Sequence, residues 1–149
     1  MSPERESEYS ELLAYVSFFA TAVWKISPAT DTHPAQTITK IISEFGKSKA
    51  LVGLRQAAND TIEETSNWSS ESRTNLDETL KGAGIITLSE IARRYASVYK
   101  RILKRGKIKN ETEYYLVNGI LVDQGSEISD EERTRLQELI DAYEVSKTT

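Results

Sequence analysis

The single histidine of the sequence, His33, stands beside Pro34 in a polar stretch, with no helical glutamate or second histidine at ligand spacing. Histidine is the usual general base near neutral pH and the commonest metal ligand. One imidazole in a chain without cysteine nevertheless leaves a structural zinc site short of donors. Read by itself, His33 is a surface loop residue. Asp60, Glu63 and Glu64 recur at helical spacing and could cradle a divalent cation, but the Glu-x-x-His pairs of di-metal bundles are missing. Ser97-Val98-Tyr99-Lys100 has the Ser-x-x-Lys spacing of some serine hydrolases, without their companion motifs. Gly82-Ala83-Gly84 lacks the Gly-Lys-Ser/Thr ending of a phosphate loop and reads as a helix end followed by a tight turn. These residues imply no cofactor, no metal and a protein that is not an enzyme.

Charge is the feature that stands out. From Arg93 to Lys109 there are eight basic residues and no acidic one. Removing those eight charges from the net −4 leaves −12 on the rest of the chain. Arg94, Lys100, Arg101, Lys104, Arg105 and Lys107 are candidate nucleic-acid contacts, with Tyr95 or Tyr99 available to stack on bases. Against this stands local pairing: cations near a helix C-terminus stabilise it, and an acidic neighbour such as the terminal helix would neutralise them. The acidic candidates for binding a basic partner are Glu63, Glu64, Asp77, Glu78, Asp130, Glu131 and Glu132. Charge complementarity of that kind favours speed and specificity of association. The expected function is a non-enzymatic protein-binding inhibitor, immunity-like or antitoxin-like. It would occlude the active site of a basic toxin or enzyme with an acidic helical surface. The alternative is a nucleic-acid-associated regulator using residues 93–109.

These residues need elements to position them. A length of 149 residues suits one domain, 1–149, and a 38% hydrophobic and 28% charged composition suits a globular one. The longest uncharged apolar stretch, Leu12 to Trp24, is thirteen residues, short of the about 20 that span a bilayer. It follows Glu4, Glu6, Glu8 and Glu11 rather than the basic residues of a signal peptide. No membrane association and a cytoplasmic location are therefore expected.

Ser2-Pro3 opens a first helix with Leu12, Val16, Phe19, Val23 and Ile26 as its stripe, stopped by Pro28. Ala35, Ile38, Ile41, Ile42 and Phe45 make the apolar face of a second, and Leu51, Leu54, Ala58 and Ile62 that of a third. A short fourth carries Leu76 and Leu80. The fifth starts at a Thr87/Glu90 capping box and runs through Leu88, Ile91, Tyr95, Val98 and Ile102 to Gly106. The last starts at a Ser129/Glu132 box and carries Leu136, Leu139, Ile140 and Tyr143. Residues 110–123 read two ways. Asn118-Gly119 between two apolar runs suggests a β-hairpin at 114–122, whereas Asn110 and Glu113 suggest a capped helix bearing Tyr114, Val117 and Leu121. The helix agrees with the spacing on either side. The fold expected is all-α, a single irregular antiparallel bundle of six or seven helices.

Overall fold

The Ser2 hydroxyl accepts the Arg5 N–H ahead of Pro3 and caps the first helix, α1 (Pro3–Ala22). The computed structural model, which describes residues 1–123 and 127–148, continues with α2 (Pro34–Phe45), α3 (Lys47–Glu64), α4 (Ser70–Gly82), α5 (Leu88–Tyr95), α6 (Ser97–Arg105), α7 (Glu111–Val122) and α8 (Asp130–Thr148). Among the described residues there are eight helices and no strand, so the fold class is all-α as expected. The count exceeds seven because the long fifth helix is two. Ala96 adopts extended angles (φ −75°, ψ 117°), which ends α5 and starts α6 in one residue. The helices group into two compact units, Met1–Glu63 and Glu64–Thr149.

In the first unit Leu12, Tyr15, Val16 and Phe19 of α1 are fully buried with Leu51, Leu54 and Ala58 of α3. The Thr61 hydroxyl donates to the Ala58 carbonyl at 2.7 Å and so accepts from the buried Tyr15 hydroxyl at 2.8 Å. The inward residue is thus Thr61, completely buried, rather than Ile62, which is only half-buried. Helix α1 ends before Pro28 is reached. Lys25 takes a left-handed conformation (φ 59°), and the Ile26 N–H closes back on the Ala20 carbonyl. His33 is a further correction, being buried rather than on the surface. Its Nδ1 accepts the Ala35 N–H and caps α2. Its Nε2 then carries the proton and donates to Thr21 Oγ1, whose own proton goes to the Ser17 carbonyl. On α2 only Ile38 is buried; Phe45 at 68% exposed and Ile42 at 37% stand out of the face assigned to them.

Helix α7 is the centre of the second unit and packs against α4, α5, α6 and α8. Its Asn110 side chain accepts the Glu113 N–H, so the capped-helix reading holds and the hairpin does not form. Gly119 serves close packing instead of a turn. A Cβ there would meet Ser89 Oγ at 3.1 Å and Arg73 Nε at 3.5 Å. Gly106 closes α6 in the left-handed conformation (φ 80°, ψ 19°) and starts the loop that carries Lys107 and Lys109 toward α7.

Candidate functional site

Three glutamates placed at the third position of a helix decide the fate of the basic segment. Glu90 of α5, Glu113 of α7 and Glu132 of α8 each donate their N–H to a capping side chain (Thr87, Asn110 and Ser129). Their carboxylates are used elsewhere. Glu90 is buried and takes Arg93 as a two-pronged pair at 2.8 and 2.6 Å, Arg94 at 2.7 Å and the Glu127 N–H at 3.0 Å. Burial alone would raise its pKa, but the hydrogen bonds from Arg93, Glu127 and Arg94 together hold it below the ordinary carboxylate value. Glu113 takes Arg105 at 2.7 and 3.2 Å and the Lys109 N–H at 3.0 Å; against the upward push of burial, these keep it low as well. Glu132 accepts the Tyr99 hydroxyl and lies 3.5 Å from Arg93. Burial first, and then this bond to a carboxylate, push the Tyr99 phenol well up. Tyr99, 2% exposed, is therefore not available to stack on a base.

Arg93, Arg94 and Arg105 are thus neutralised inside the second unit, as the local-pairing reading expects. The rest of the segment is not. Lys100, Arg101, Lys104, Lys107 and Lys109 are exposed, and none makes an ion pair or a side-chain hydrogen bond among the described residues. At the angular step of an α-helix, Lys100, Arg101 and Lys104 fall on one face of α6 within about 100°. The opposite face of the same helix is anchored by buried Tyr99 and Ile102. The cations are therefore presented on a fixed support, with Lys107 and Lys109 continuing the row beyond Gly106.

The acidic set fares differently. Asp77 is 4% exposed and accepts the Ser89 N–H at 3.1 Å and the Ser89 hydroxyl, so it is no surface contact; the structure corrects that assignment. Burial raises its carboxyl to about 6, against the pull of the Ser89 hydroxyl, and the neighbouring Asp123 charge adds to the rise. Asp77 and Asp123 line a cavity of about 140 Å³. A carboxyl titrating near 6 beside a second carboxylate suits acid–base chemistry, but both Asp77 oxygens are held by Ser89 and an Asp123 oxygen holds the Thr87 hydroxyl at 2.6 Å. Through these bonds Asp77 of α4 and Asp123 at the end of α7 both clasp the start of α5. The exposed acids that remain are Glu63 and Glu64 on α3, Glu78 on α4, and Asp130 and Glu131 on α8. Asp60 is exposed like Glu63 and Glu64, and among the described residues no group of carboxylates and histidine is arranged to hold a metal ion. Ser97 and Lys100 are both exposed on α6. No helix among the described residues is long and apolar enough to cross a membrane.

The sequence reading missed a groove beside the basic row. The 107–109 loop and α8 enclose about 300 Å³ over Ile108, Leu139, Ala142 and Tyr143, with Lys107 and Lys109 at its edge. A more open cleft of about 570 Å³ shares Lys109, Tyr143 and Ser146 with it and extends to Lys147. Its signal was present in Tyr143, an aromatic residue in a stripe otherwise ending with aliphatics. No family model, curated protein or solved structure matches this chain.

Proposed function

We propose that this protein is a non-enzymatic nucleic-acid-binding protein whose α6 face and following loop lie along a phosphate backbone. One observation carries the reading: Lys100, Arg101, Lys104 and Lys107 are exposed and without counter-charge, although carboxylates neutralise three arginines of the same segment. Cations that neutralise phosphates release the counterions condensed on the nucleic acid, and this dominates its affinity. Four such contacts give a slope of log affinity against log salt of about −3. Replacing Lys100, Arg101 and Lys104 together by glutamate should abolish binding in a gel shift at low salt and leave the circular dichroism spectrum unchanged. Arg105 is left out of that test because its pairing with Glu113 is structural. A wild-type protein that binds no oligonucleotide at low salt, or binds with no salt dependence, ends this reading.

The inhibitor reading, in which an acidic surface occludes a basic partner protein, keeps Glu63, Glu64, Glu78, Asp130 and Glu131. It loses Asp77 to burial and Glu132 to its bonds with Tyr99 and Arg93. Its remaining residues are spread over three helices, so it is the less supported of the two. Stoichiometric co-purification with a basic protein, sensitive to reversal of Asp130 and Glu131, would restore it.

A further inference from the structure

We infer that the groove between the 107–109 loop and α8 seats an unpaired nucleotide, so that the protein prefers single-stranded to duplex nucleic acid. The inference rests on the reading of α6 as a phosphate-binding face and adds what that face selects. The row of unpaired cations does not stop at α6. Gly106 turns the chain, Arg105 fixes the turn by donating to the Lys107 carbonyl at 3.0 Å, and Lys107 and Lys109 arrive at the groove edge. A backbone tracking Lys100, Arg101 and Lys104 is thereby led to an opening with an apolar floor, where Ile108 and Leu139 are 5% and 7% exposed. The volume of about 300 Å³ is at the lower end of the range of small-molecule pockets.

Tyr143 supplies the aromatic surface. It lines both the groove and the adjoining cleft and is half-buried. Tyr114 supports it from one side, with ring centroids 5.4 Å apart and planes 30° apart, and Tyr114 is itself held by its hydroxyl to Glu144 at 2.8 Å. Lys147 Nζ lies over the Tyr143 ring, 5.7 Å from its centroid, and is tied to Glu111 at 3.3 Å. Among the described residues, Glu111 is the one carboxylate lining the cleft. It is already matched by Lys147, and the Lys109 charge lies close enough to Glu113 to help lower its pKa, so the cation at the rim without a carboxylate beside it is Lys107. A supported aromatic ring beside an apolar floor and a cationic rim has the chemistry of a stacking platform for a base whose phosphates stay outside. A paired base inside a duplex cannot enter such a recess without leaving its stack.

The test compares a fluorescently labelled twelve-nucleotide oligothymidylate with a blunt duplex of equal length by anisotropy at low salt, on the full chain. Wild-type protein should bind the single strand about tenfold more tightly. Tyr143→Leu should remove that preference with little change in duplex affinity, Tyr143→Phe should keep it, and Ala142→Leu, which narrows the groove from an exposed position, should reduce it. The Lys100→Glu, Arg101→Glu, Lys104→Glu variant should lose both ligands. Equal affinity for the two ligands, or an undiminished preference in both Tyr143→Leu and Ala142→Leu, overturns this inference and leaves the α6 reading standing. Failure of the wild-type protein to bind either ligand overturns both. If Tyr143→Leu does not fold, Ala142→Leu and Tyr143→Phe decide the outcome by themselves.

Discussion

Asp77→Asn should stabilise the second unit at neutral pH and do nothing of the kind at pH 4. The carboxyl titrates at about 6 in the fold against an ordinary 3.8. Its folded-state value is the raised one, so the fold favours the protonated acid. That stabilisation is fully present below pH 3.8 and is lost as pH rises through about 6. The difference of about 2 in pKa corresponds to about 3 kcal/mol, since each pKa step is worth about 1.4 kcal/mol. Asparagine is neutral throughout and still accepts the Ser89 N–H, but it makes the Ser89 hydroxyl reorient, at a cost of about 1 kcal/mol. The variant should therefore lead the wild type by about 2 kcal/mol at pH 7.5 and lie within about 1 kcal/mol of it at pH 4. Each unit contains one tryptophan, Trp24 in the first and Trp68 in the second. Urea unfolding followed by Trp68 emission in a Trp24→Phe background places the probe in the second unit. A difference between variants that is independent of pH, or a variant less stable than the wild type at pH 7.5, would refute the claim that a burial-strained carboxylate sits at Asp77.

Other perturbations probe the neighbours of that clasp and the first unit. Gly119→Ala should destabilise the second unit by about 1 kcal/mol despite the better helix propensity of alanine, because the Ser89 oxygen 3.1 Å from the new Cβ is held by Asp77 and cannot retreat; a gain in urea midpoint would show that Ser89 yields. Glu90→Gln leaves Arg93 and Arg94 short of a buried counter-charge and should cost about 3 kcal/mol at pH 7 by the same Trp68 assay. Because the Glu90 and Glu113 pKa values are lowered, their contribution is present above 4.5 and is lost as pH falls through the folded values, whereas that of Asp77 is lost as pH rises through about 6; together they should make wild-type stability of this unit peak on the acid side of neutrality. A monotonic rise in stability from pH 4 to 8 would contradict it. His33→Ala removes the α2 cap and should cost the first unit about 1 kcal/mol, read by Trp24 emission in a Trp68→Phe background, while His33→Asn, which can still accept the Ala35 N–H, should cost less; equal losses would mean that the Thr21 bond, not the cap, is what matters.

Local signals carried the fold. Thr87, Asn110 and Ser129 cap the helices they were expected to cap, because a cap is decided within four residues of sequence. What lay beyond that range was hidden. Ala96 sits in an unbroken apolar stripe, and nothing in its neighbours announces the extended angles that split the fifth helix. Gly119 after Asn118 imitates a hairpin turn, since its true partners, Ser89 and Arg73, are thirty and forty-six positions away. Asp77 looks like a surface acid beside Glu78. Yet Arg73, Asp77 and Leu80 recur at steps of four and three, and this shared face with a leucine was the available sign that two charged residues go inside. The basic segment was legible as a charge excess, but not which of its members would remain charged toward solvent.

That division follows the chemistry of the two basic side chains. A guanidinium offers a planar fork that matches a carboxylate in two places and is more weakly hydrated, so it tolerates partial burial; an ammonium is compact and strongly hydrated. Arg93 and Arg105 form such forks with Glu90 and Glu113, and Arg94 closes on Glu90 beside them, while every lysine from Lys100 to Lys109 stays in water. Arg101 is the exception that tests the rule. It projects from α6 between Lys100 and Lys104 with no carboxylate within reach among the described residues. A fold that places three glutamates to satisfy its other arginines in this segment leaves that guanidinium open, and its fork matches a phosphate as well as it matches a carboxylate. If the cationic face served solubility alone, Arg101→Lys would change nothing. If it contacts a phosphate through its fork, the same charge-conserving substitution should weaken oligonucleotide binding several-fold while leaving the salt slope intact.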